Sequence, residues 1–174
     1  MLCKYNGIVC LLVKDNEFFK FKSGEFLRLY DQLNINIDSF THQEKNSIVH
    51  FAPYFNREIN NILVHNVCTN KEDIDFLKEQ YQSDFDRLYF CLCPNANKYI
   101  SNQLPNAELF VKENCNIVLG TDSLASNDEL SILAEINILQ KSNPQFSTTQ
   151  LLKWATINGA KALKIDHHFG SFEK

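Results

Sequence analysis

Short, nearly continuous apolar runs alternate along the chain with longer stretches in which apolar residues recur every three or four positions. Ile8–Val13 ("IVCLLV"), residues 61–67 ("NILVHNV"), residues 87–93 ("RLYFCLC") and Asn116–Leu119 ("NIVL") are rich in β-branched and aromatic side chains. Bounded by polar residues, glycine or proline, they read as strands buried on both faces. Residues 24–33 ("GEFLRLYDQL") place Phe26, Leu29, Tyr30 and Leu33 on one side of a helix, and residues 46–59 read as a helix that Pro53 kinks or divides. Thr69-Asn-Lys-Glu72 has the capping-box pattern and opens a helix to about Gln80; Ser126-Asn-Asp-Glu129 repeats that pattern before a helix to about Gln140. Residues 104–114 make a short helix, and Ser147-Thr-Thr-Gln150 caps a last helix through Leu163. In that helix Leu151, Leu152, Trp154, Ala155, Ile157, Ala160 and Leu163 suit a packed surface, with Gly159 allowing close approach. From residue 61 onward the order is strand, helix, strand, helix, strand, helix, helix, the alternation of a parallel sheet.

Composition narrows the class. The 174 residues, 44% hydrophobic and 22% charged, suffice for one globular domain. Seventeen Lys and Arg against 21 Asp and Glu give a net charge of −4, with no basic face of the kind a nucleic-acid partner requires. The six cysteines, at 3, 10, 68, 91, 93 and 115, lie mostly in or beside strand-like runs, as reduced core residues of a cytoplasmic protein do. The apolar run Ile8–Val13 ends at Lys14, too short for a signal-peptide core or a membrane span. No Gly-rich phosphate loop follows any strand, which excludes the usual nucleotide-binding open sheet.

Parallel sheets present their functional side chains at the carboxyl ends of the strands. His65 ends "ILVH", Asn95 and Asn97 follow "FCLCP", and Asp122 follows "IVLGT". A His and an Asp at neighbouring strand ends can share a metal-bound water, the imidazole orienting it while the carboxylate accepts its proton. Each residue also has a plainer reading: a structural imidazole for His65, a turn or helix-start charge for Asp122, and turn formation for Asn95 and Asn97.

Five motifs in order, "ILVHNV" before a capped helix, "CPNAN", "NIVLGTDSLASN", "LLKWATINGAKAL" and "GSFEK", resemble the C-terminal half of the amidohydrolase superfamily, in its deaminase and chlorohydrolase branch. The resemblance covers residues 61–174 and extends weakly upstream to about Phe18; residues 1–17 fall outside it. It implies an α/β fold: the C-terminal part of a (βα)8 TIM-like barrel, parallel strands with outer helices, incomplete, as one partial domain over residues 1–174. It implies a metal-dependent hydrolase of non-peptide C–N bonds, an aminohydrolase or deaminase acting on a small cyclic nitrogenous substrate. By the same resemblance His65 is catalytic, Asn97 is substrate-binding, and Asp122 is both catalytic and the metal ligand. The metal is zinc, with iron or manganese as alternatives.

The chain departs from that pattern. The family's His-x-His and His-x-x-Glu motifs are absent, and the stretch where the second should fall, "GIVCLLVKDNE", holds no histidine. His42 sits two residues from Glu44 rather than three, so neither it nor His50 is assigned to a metal; His167 and His168 are expected in solvent. Asp122 with at most His65 supplies one or two ligands where a catalytic zinc takes three from the protein. A complete barrel takes about 250 residues, so the chain reads as a fragment, and a non-catalytic remnant without metal is the alternative function. Half a barrel is also expected to expose Ile62, Val64, Ile117 and Val118 and to aggregate, dimerise or pair with a complementary chain.

Overall fold

Four of the five strands in the sheet run parallel. The computed structural model describes the backbone of residues 2–5, 8–13, 21–39, 41 and 46–172, and the side chains of 21–24, 27–39, 41 and 46–172. Strand β1 (Leu2–Tyr5) pairs antiparallel with β2 (Ile8–Val13), and β2, β3 (Asn60–His65), β4 (Leu88–Leu92) and β5 (Asn116–Leu119) follow in order, all parallel. The register sets Leu11, Leu63, Phe90 and Ile117 side by side. Strand β1 was not expected from the pattern; β2 through β5 lie where the apolar runs place them.

Among the described residues the α-helices are α1 (Glu25–Gln32), α2 (Ser47–Phe51), α3 (Lys71–Tyr81), α4 (Pro94–Ser101), α5 (Ala107–Lys112), α6 (Ile132–Ser142), α7 (Thr148–Ala155) and α8 (Ile157–Ala162). Pro53 divides the second helical stretch as expected, α2 passing into a 3-10 turn at Ala52–Tyr54. Helix α1 forms, yet Leu29 and Leu33 on its apolar side are exposed. The α3 cap lies one residue later than the sequence suggested. Asn70 accepts from the Asp73 N–H and Asp73 reaches back to the Asn70 N–H, because asparagine caps better than threonine.

Period-two alternation sorts the strand residues between two layers. Leu63, Leu88, Phe90, Leu92 and Ile117 pack against the outer helices through Ile74, Leu77, Phe110, Ile136, Leu139, Leu151 and Trp154. Ile62, Cys91 and Val118 face the other way, among Cys93, Ala96 and Ala162 of α8. This corrects the expected exposed face. Ile62 and Val118 are buried beneath α8, Val64 is half-buried, and Ile117 belongs to the helix-covered layer.

The terminal helix is also corrected. It breaks at Thr156, whose hydroxyl donates to the Leu152 carbonyl at 2.7 Å, and the chain turns there (φ −128°, ψ −92°) into α8. The turn lets α8 cross β3 and β5, where Asn158 donates to the Ile117 carbonyl and Asn60 to the Lys161 and Ala162 carbonyls. Gly159 meets nothing within 4 Å of where a Cβ would stand, so close approach is not its role; Leu152 and Leu163 are exposed. Among the described residues no helix is long and apolar enough to cross a membrane.

Candidate active site

His65, Asn97 and Asp122 lie together at the carboxyl ends of β3, β4 and β5. Alternation along β3 would set His65 on the Leu63 side, but His65 and Asn66 both take left-handed backbone (φ 76° and 57°), which breaks the alternation at the strand end. The turn is held by Asn66, fully buried, whose amide donates to the Leu63 carbonyl at 2.6 Å and the Cys91 carbonyl at 3.2 Å. Asn97 rides on α4, an element missed in the sequence because "CPNAN" has the composition of a turn. Pro94 instead takes the first helical position, where its lack of an N–H costs nothing.

Asn97 is completely buried and turned to His65. Its Nδ2 lies 3.5 Å from the His65 carbonyl and its Oδ1 lies 2.8 Å from His65 Nδ1. A carbonyl oxygen only accepts, so this network assigns the proton to Nδ1 and leaves a lone pair on Nε2 in the neutral ring. Nε2 in turn faces Asp122 Oδ2 at 3.7 Å, with the His65 side chain 4% exposed and that of Asp122 28% exposed. Two electron-pair donors so placed need an electrophile between them: a proton, a water donating to both, or a cation.

Asp122 is presented by a short, tight exit from β5. The Gly120 N–H donates to the Leu92 carbonyl at 3.0 Å, extending the ladder by one residue. A Cβ on Gly120 would stand 2.9 Å from Cys91 Sγ and 3.4 Å from Cys93 Sγ, so only glycine passes beside the two thiols. Asp122 then adopts left-handed backbone (φ 58°), and Ser126 Oγ donates to its Oδ2 at 2.7 Å. This overturns the expected cap. Ser126 serves the carboxylate, and the N-cap of α6 is Ser131, which accepts from the Ala134 N–H. The Cys93 thiol is held well above its usual range, first by its contact with Cys91, then by burial and by the Asp122 and Glu135 charges. It is not poised as a nucleophile.

Two residues that sequence reading passed over support both loops. Glu135, completely buried, accepts from the Asn95 N–H at 2.9 Å and from the Asn127 amide at 2.9 Å; Asn127 also donates to the Thr121 carbonyl at 2.7 Å. A signal was present. Ile132, Glu135, Ile136 and Leu139 share one helical stripe, and a carboxylate inside an apolar stripe must have buried partners.

Among the described residues no group of three or more His, Cys, Asp or Glu side chains is placed to hold one metal ion. The strand beside β3 brings Val13, not a histidine, level with His65. The described residues therefore do not by themselves make up a catalytic zinc centre, which takes three protein ligands. His50 lies on α2 outside the group, His167 and His168 are exposed, and His42 falls outside the described residues. Cys91, Cys93 and Cys115 are free thiols, the first two buried.

Parallel strands, outer helices and polar groups gathered at the strand ends fit part of a (βα) barrel. Residues 34–174 match the profile of the amidohydrolase family, and the chain belongs to that family. Among curated relatives, 5-methylthioadenosine/S-adenosylhomocysteine deaminase of Thermoanaerobacter pseudethanolicus is 30% identical over 143 residues, 78% of this chain and 32% of that protein. The aminofutalosine deaminase of Helicobacter pylori, solved also with methylthio-coformycin, superposes with a TM-score of 0.74 at 22% identity over 95% of this chain and 41% of that one. A zinc-bound adenosine deaminase of Xanthomonas campestris gives 0.62 at 23% identity, covering 84% and 36%. The fold is thus part of a (βα)8 barrel. The chain spans a quarter to a third of the length of the curated relatives it matches.

Proposed function

We propose that this chain carries the His65–Asp122 side of a hydrolytic deaminase site for a 6-aminopurine nucleoside. The reading rests on one observation above all: a buried imidazole whose Nε2 lies 3.7 Å from a half-open carboxylate at adjoining strand ends. Its support from kinship is that relatives of 29% to 30% identity are named as deaminases of methylthioadenosine and deoxyadenosine. Water adds to the ring carbon bearing the amino group, the carbon–nitrogen bond breaks, and ammonia leaves. Asp122 takes a proton from the attacking water and returns it toward the departing amine, held ready by the Ser126 hydroxyl. His65 Nε2 accepts from the other O–H of that water and so aims its oxygen at the carbon. Asn97, whose oxygen already accepts from the imidazole, acts on the substrate through that ring. Asp122 and His65 would contribute two ligands of a family-type divalent metal, zinc first. The free thiols fit the reducing cytoplasm.

A second reading is favoured by the lack of a three-ligand group among the described residues: a scaffold that binds the nucleoside without turning it over. One experiment separates the two. The purified chain is supplied with zinc and adenosine or methylthioadenosine, ammonia release is followed, and methylthio-coformycin binding is measured by calorimetry. Deamination lost in Asp122→Ala supports the catalytic reading. Analogue binding without ammonia supports the scaffold, and neither signal overturns both.

A further inference from the structure

We infer that Glu135 is the positioning residue that holds the two halves of the site in one geometry. Its carboxylate is divided between the loops. Oε2 accepts from the Asn95 N–H and Oε1 from the Asn127 side chain, each at 2.9 Å. The first bond anchors the start of α4, which has no side-chain cap of its own and carries Asn97 two residues further on, the partner of His65 Nδ1. The second passes through Asn127 to the Thr121 carbonyl, which immediately precedes Asp122 and its left-handed backbone. Glu135 itself sits on α6, packed against the sheet through Ile136 and Leu139, so both loops are referred to one rigid element. A carboxylate is required. Both partners are donors, and among side chains of this size only Glu offers two acceptor atoms; Gln would turn an NH2 group against one donor or the other. Burial makes the arrangement exacting, since an unpaired donor there has no water to turn to.

The inference rests on the proposed roles of His65 and Asp122, and its test uses no turnover, so an absence of deamination would not count against it. The measurement is long-range 1H–15N NMR of the His65 imidazole in the full chain. Wild type is expected to show a protected Nδ1 proton and an unprotonated Nε2. Glu135→Gln should accelerate solvent exchange of that proton about tenfold, the factor that a lost hydrogen bond of ordinary strength carries. Leu139→Ala, one turn along the same buried stripe, should lower the melting temperature and leave the His65 signals in place. Asn127→Ala cuts only the Thr121 branch. It should move the Nε2 shift, which senses Asp122, while the Nδ1 proton stays protected, and this holds whether or not Glu135→Gln folds. Glu135→Gln signals identical to wild type, equal disturbance by Leu139→Ala, or an Nε2 shift unmoved in Asn127→Ala would each overturn the assignment.

Discussion

Asp122 combines an unfavourable backbone with a useful side chain. Its φ of 58° lies where a Cβ crowds the following carbonyl, and its carboxylate is held toward His65 by Ser126. Strain of this kind persists where the surrounding structure fixes it, here through Gly120, Asn127 and Ser126. Two substitutions separate backbone from side chain. Asp122→Ala and Asp122→Gly both remove the carboxylate, but only alanine keeps the Cβ penalty, so the glycine variant should be the more stable by about 1 kcal/mol in urea denaturation. Equal stabilities would show that the left-handed turn is not imposed by its neighbours. Of the four strand-end polar residues singled out in the sequence, His65, Asn97 and Asp122 converge in space. Ser126, which bonds Asp122, and Asn127 and Glu135, which hold the adjoining backbone at Thr121 and Asn95, could not be matched to those partners from sequence; the apolar stripe around Glu135 shows that it needs buried donors, not which ones.

Element by element, apolar periodicity located the parallel strands and most helices, while cap residues set the boundaries less reliably. Ser126 and Ser131 both precede the same helix, and sequence favoured the first because Glu129 completes its box. In the fold Ser131 caps α6 and Ser126 faces Asp122. Ser131→Ala should therefore cost about 1 kcal/mol of stability. Ser126→Ala should cost less, about 0.5 kcal/mol, because the bond it loses to Asp122 is an exposed one. Chemical denaturation of both decides the point, and a larger loss in Ser126→Ala would restore it as the cap. The break between α7 and α8 has a local cause at Thr156, yet its consequence, a helix laid over the inner face of the sheet, is tertiary.

For the molecule as a whole, metal binding is the sharpest quantity. With His65 and Asp122 as the two candidate ligands brought together among the described residues, the chain should retain less than one transition-metal ion per molecule after dialysis against a weak chelator. Elemental analysis measures this directly. One tightly held ion per chain, lost in Asp122→Ala, would mean that residues beyond those described complete the centre. The covering of Ile62 and Val118 by α8 removes the apolar inner patch on which the expected aggregation depended.

The sequence by itself determined the parallel α/β alternation, the family kinship and the positions of His65, Asn97 and Asp122, because strand ends, turn residues and motif order are local properties. Tertiary structure alone decided three other matters. It converted Asn97 from a turn residue into the acceptor that fixes the His65 proton, since that depends on β3 and β4 lying side by side. It made Glu135 the tie between two loops, since a carboxylate reveals its partners only when burial denies it water. It also closed the inner face with α8, since which face a helix covers depends on the turn at Thr156 and on the sheet already formed beneath it.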